Sequence, residues 1–111
     1  MKVSEWLETR TPLPPEALRR RVRASLAPAL DDEVEEGGTR TFEQLLAAAR
    51  SLLRVVLSDE GTDRECAHDL LAADALVTYA FELAAEEPEA VAALADSAMR
   101  SLGALAAEGT E

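Results

Sequence analysis

A chain of 111 residues with 22 carboxylates against 11 Lys and Arg has a formal net charge of −11, so as a whole it repels nucleic acid and anionic membrane surfaces. Alanine and leucine dominate, aromatic residues make up 4 %, and glycine and proline are five each, which is a composition of helices rather than of sheets. One cysteine and one histidine exclude an intrachain disulfide and an intrachain zinc site of the Cys/His kind, and a reducing cytoplasm is the expected compartment.

The first ten residues, MKVSEWLETR, lack the apolar centre of a signal peptide. No apolar run approaches the ~18 residues that a membrane span needs, so neither secretion nor insertion is expected. Ser4 is placed to cap a short helix over residues 5–10, with Trp6 and Leu7 as its apolar contribution. Trp6, the only tryptophan, either docks on the rest of the chain or anchors a partner, as aromatic residues do at interfaces. Residues 11–15, TPLPP, form a stiff extended joint. Pro15 then opens a second helix that runs to about Ala27. Leu18, Val22 and Leu26 are its narrow apolar stripe, surrounded by Arg19, Arg20, Arg21 and Arg23. Residues 1–30 hold six cations against three carboxylates, which leaves −14 on the remainder. This arginine arm is expected to lie against the acidic remainder of the same chain or of a twin, with Arg19 and Arg23 joining Trp6 as candidate partner anchors.

Residues 31–40 place Asp31, Asp32, Glu33, Glu35 and Glu36 ahead of paired glycines and read as an acidic, mobile linker. Thr41 and Gln44 form a capping box for a third helix, Phe42 to about Ser58. Its residues Phe42, Leu45, Leu46, Ala49, Leu53, Val56 and Leu57 recur at the mixed spacing of a helix facing a core. After a turn closed by Gly61, Thr62 with Glu65 caps a central helix that continues to Glu87 and is apolar on almost every side. Cys66, Leu70, Ala73, Val77, Ala80, Phe81 and Ala84 fill one arc of it, and Leu71, Leu76 and Leu83 fall outside that arc. Such a helix needs cover on more than one side, which makes Leu70, Leu71, Leu76, Val77, Phe81 and Leu83 its core or interface set. Pro88 ends it. A fifth helix runs to about Ala107 with Val91, Leu94, Ala95, Ala98, Leu102 and Leu105 on one face, and the short reversals force helices three to five to be antiparallel neighbours. Residues 108–111 are a frayed tail.

Asp74 lies near the middle of the central helix, and Arg50 and Arg100 of the flanking helices fall within a turn of its level. An interhelix ion pair that fixes register is preferred over a catalytic acid or base. Glu65 and His68 have the Glu-x-x-His spacing by which bundles ligate paired metals. A single histidine, with Arg50 and Arg54 on the stretch that faces it, favours an ordinary acidic first turn instead. Cys66 and His68 point about 160° apart around a helix and so cannot act as nucleophile and base. The carboxylates of residues 31–36 could hold a divalent cation, and the arginines of helix two an anion; a solvated loop and charge neutralisation are the simpler readings. No catalytic constellation is present, and no cofactor is called for.

The run from Ala73 to Ala85, ADALVTYAFELAA, resembles the core helix of the trans-isoprenyl diphosphate synthases, which carry a similar Gly-Asp-Ala-Leu-Leu-x-x-Ala-Phe-Glu-Leu-Leu sequence; the likeness extends over about residues 66–107. It implies a place in an all-α bundle that commonly dimerises. It does not carry the family's activity over, because the two Asp-Asp-x-x-Asp magnesium motifs are missing. The nearest match, Asp31 to Glu35, ends in Glu and precedes the helix on the wrong side of the chain.

The expected fold is therefore all-α, a small bundle of three long antiparallel helices with a basic N-terminal helical arm. As one domain it divides into 1–30 (arm), 31–40 (linker), 41–107 (core) and 108–111 (tail). The expected function is that of a non-enzymatic, cytoplasmic interaction or structural module that forms a homodimer or higher oligomer, without nucleic acid or membrane as partner. The alternative is a ligand- or metal-binding bundle, a degenerate relative of isoprenoid synthases.

Overall fold

The structure is a computed structural model that describes residues 1–58 and 64–108, and among these the chain is all-α with no strand. Two short helices, α1 (Val3–Glu8) and α2 (Glu16–Ser25), lead through a 3-10 turn at Ala27–Ala29 to α3 (Thr39–Ser58) and α4 (Arg64–Ala84). A second 3-10 turn at Pro88–Ala90 opens α5 (Val91–Glu108).

Carboxylates set the helix starts where hydroxyls were expected. Glu5 Oε1 accepts the Lys2 N–H at 2.8 Å, so α1 begins at Val3 and Ser4 lies inside it. Glu35 Oε1 accepts the N–H groups of Arg40 (2.6 Å) and Thr41 (3.3 Å), and α3 begins at Thr39, ahead of Phe42. A carboxylate at that end satisfies orphan donors and complements the helix dipole. Thr41 is buried with its hydroxyl unpaired, and the Gln44 amide donates to Asp32 Oδ2 at 2.9 Å instead of closing a box. Gly61 and Thr62, the expected stop and cap ahead of the central helix, and residues 109–111 of the tail lie outside the described residues.

The acidic linker is a hydrogen-bonded clasp and not a mobile stretch. Val3 donates to the Asp32 carbonyl at 2.9 Å, Ser4 to Leu30 at 3.0 Å and Val34 to Met1 at 2.9 Å, while the Met1 ammonium meets Glu33 Oε2 at 2.9 Å. Arg40 adds contacts to the Glu33 carbonyl and to Glu35 Oε2. Gly37 and Gly38 then turn the chain into α3 with φ of +88° and +67°, a region that only glycine enters freely.

α3 and α4 form the main seam, α2 lies across α4, and α5 rests chiefly on α3. Edge-to-face contact of Phe42 with Phe81, centroids 5.6 Å apart, joins the start of α3 to the end of α4, as an antiparallel pair requires. Ser97 donates to Glu43 at 3.1 Å and Arg50 to Ser101 at 3.2 Å; the partners advance together, so α5 runs in the direction of α3. Ala49, Ala72, Ala73 and Ala80 are almost fully buried, and their small side chains let the α3 and α4 backbones approach closely.

The chain covers its helices unevenly. The buried side of α4 carries Asp69, Ala72, Leu76 and Leu83, with α3 and α2 packed against the helix; of the core or interface set Leu76 and Leu83 are core, Val77 and Phe81 are half-buried, and Leu70 and Leu71 are 51 % and 53 % exposed. The N-terminal arm, moreover, does not embrace a finished core but builds it: Val3, Trp6, Leu7, Val22 and Leu26 are buried in one cluster with Phe42, Leu45 and Leu76. Among the described residues of α5, Leu94, Ala98 and Leu105 are the buried ones. With the 3-10 turn before it, the stretch Pro88–Ala107 contains an 18-residue window of mean hydropathy 1.2, long and apolar enough by length and composition to cross a membrane, where no such run was expected; 17 % of that window is buried.

Candidate functional site

Trp6 is docked. It is 5 % exposed, meets Tyr79 edge to face at 6.4 Å, carries the Arg10 guanidinium 4.1 Å above its ring and donates from Nε1 to Glu86 at 3.3 Å. It is therefore not available as a partner anchor. Tyr79 beneath it has its hydroxyl pushed above the ordinary phenol range by burial and by the nearby Glu82. Arg19 and Arg23, the other candidate anchors, both turn to Glu8, at 2.7 and 3.6 Å, which latches α2 to α1 within one chain.

Asp74, Arg50 and Arg100 are not brought together. Asp74 is exposed and makes no ion pair among the described residues, Arg50 bonds Ser101, and Arg100 is exposed. The interhelix pair that does tie the bundle is Arg21 to Asp69, at 2.6 Å, with Asp69 8 % exposed. Sequence spacing gave no hint of it, since it depends on how α2 crosses α4. The one available signal was a lone acid within the buried-face period of α4.

Glu65 is exposed and His68 half-buried, and among the described residues no group of three or more His, Cys, Asp or Glu side chains is placed to share a metal ion. Cys66 is half-buried and not in a disulfide. His68 instead faces α2. With Ala17, Arg20, Arg21 and Ala24 it lines an open groove of about 390 Å³ that carries two cations. Asp69 already neutralises Arg21, so Arg20 is the cation left uncommitted there among the described residues. The acidic residues make the opposite kind of site unavailable, because Asp32, Glu33 and Glu35 are engaged in the clasp. Between Leu7, Leu13, Pro14, Val22 and Tyr79 there is a void of about 20 Å³, room for a single water molecule.

No acid, base and nucleophile converge on any of these places. Large apolar side chains are exposed on all three long helices, Val55 and Leu57 on α3, Leu70 and Leu71 on α4 and Met99 on α5. On the side of α5 away from α3 lie Ala92, Asp96, Met99, Arg100 and Gly103, with Met99 72 % exposed and open space above Gly103. No protein-family model, curated protein or solved structure matches the chain.

Proposed function

We propose that this protein is a non-enzymatic helical module that self-associates as a homodimer or higher oligomer in the cytoplasm, with α5 as its seam. One observation supports this above the others. Between Val91 and Ala107 α5 holds two charged residues, and it is left largely uncovered by its own chain, so apolar surface stays in water unless a partner covers it. From Val91 to Ala107 its polar residues are Asp96, Ser97, Arg100 and Ser101, and the two serines already bond α3. At 1.5 Å per residue the helix offers a strip roughly 27 Å long. A second copy presents the same strip, so an isologous contact covers both without any further partner. Equilibrium sedimentation at micromolar concentration tests the proposal: the expected mass is twice the 11.9 kDa of the chain. Met99→Glu, a change at an exposed position, is expected to return a monomer with unchanged helical circular dichroism. A wild-type monomer overturns the proposal.

The groove between α2 and α4 favours a second reading, a bundle that binds a small anion through Arg20 and His68. In that reading the likeness of α4 to the isoprenyl synthase helix marks a shortened relative without the aspartate motifs. Titration of inorganic phosphate into labelled protein is then expected to shift the His68 and Arg20 resonances together, and unmoved resonances at millimolar phosphate end it.

A further inference from the structure

The outer face of α5 carries one acid and one base, Asp96 and Arg100, four residues apart and both exposed. Neither has an ion-pair partner within the chain among the described residues, although they stand at a spacing that permits one with each other. Small residues flank them, Ala92 and Ala93 on one side and Gly103 and Ala104 on the other, with nothing within 4 Å of a Cβ placed on Gly103. The pattern is close to a palindrome about the level of Ala98.

Resting on the self-association reading, we propose that α5 pairs antiparallel with α5 of a second copy, the two-fold axis crossing the helix at the level of Ala98. In that arrangement Asp96 faces the partner's Arg100, and Arg100 faces the partner's Asp96. Ala92 then faces the partner's Ala104, and Ala93 the partner's Gly103, so that the backbones approach closely at both ends of the seam. Charge selects this arrangement over the parallel one. A parallel two-fold sets each residue against its own copy, acid on acid and base on base, whereas the antiparallel two-fold converts both repulsions into attractions. The apolar remainder supplies burial, and the charges supply direction and register.

Charge reversal tests it, with sedimentation equilibrium at 0.15 M salt and circular dichroism as the check on folding. Asp96→Arg and Arg100→Asp, each alone, are expected to weaken the dimer about tenfold in Kd, the effect of two exposed attractive pairs turned repulsive. The double variant Asp96→Arg/Arg100→Asp is expected to restore wild-type association. The first of these also makes the chain less acidic, so general repulsion between copies predicts tightening where the antiparallel seam predicts weakening. A wild-type dimer that neither single reversal weakens overturns the register and leaves self-association standing. A wild-type monomer overturns both.

Discussion

Trp6 joins residues from three parts of the chain, Arg10 above its ring, Tyr79 at its edge and Glu86 on its indole nitrogen. Trp6→Ala is expected to cost about 3–5 kcal/mol in urea unfolding, the usual range for deleting a buried aromatic ring, whereas Trp6→Phe, which keeps the ring and loses the Glu86 bond, is expected to cost much less. The two glycines of the clasp divide in the same manner. A Cβ on Gly38 would lie 3.1 Å from Leu83 Cγ at φ +67°, while one on Gly37 meets nothing at φ +88°. Gly38→Ala is thus expected to lower the melting temperature clearly more than Gly37→Ala, which carries backbone strain of about 1 kcal/mol alone. At this scale the sequence was legible where spacing decides. Leu18, Val22 and Leu26 do face the core. It was illegible where a contact joins distant elements, as in Arg21 to Asp69, or where an arginine had several acids within reach, as with Arg50 and Asp74.

The five helices were all visible in periodicity and punctuation, but the groups that start α1 and α3 were not. A capping box can be read three residues ahead, but Glu35 reaches α3 from a turn containing two glycines at positive φ, which no local pattern announces. The clasp that holds Glu35 has a pH signature. Hydrogen bonding to Glu33, with its charge, raises the Met1 ammonium above 8.0, and the same bond lowers Glu33 below its ordinary value. The raised amine stabilises the folded state below pH 8 and loses that contribution as pH rises through its folded value. The lowered carboxylate contributes above pH 4.5 and loses its share as pH falls through its own folded value. Amide exchange at Val3 and Val34, corrected for intrinsic rates, is therefore expected to be slowest between these limits and faster at pH 9.5 and at pH 3.5. Protection uniform across that range contradicts the clasp. Among the long helices α5 is expected to exchange fastest in the monomer, having the least buried surface, and to gain the most on association.

For the whole molecule, class and single-domain size followed from composition, yet the division into arm and core did not, because a 111-residue chain cannot leave its N-terminal quarter out of its only core. The seam proposed for self-association lies on α5 and not on the outside of α4, because α2 takes the place beside α4 that a third long helix was expected to fill. Two molecules of charge −11 repel at long range, so association is expected to tighten between 0.01 M and 0.15 M salt, as the screening length falls from ~30 Å to ~8 Å. Light scattering across that range checks it, and association that weakens steadily with salt would mean that the Asp96 and Arg100 pairs outweigh the net charge.

The single tryptophan, on the arm, and the single tyrosine, on α4, meet where the arm docks, and α5 carries neither. Intrinsic ultraviolet fluorescence therefore watches one end of this molecule. Excitation absorbed at Tyr79 passes to Trp6 while the arm is seated, and release of the arm separates the donor from its acceptor and exposes the indole to water. A probe placed on α5 sees the opposite event, so that two colours recorded from one sample can separate unfolding of the arm from parting of the copies.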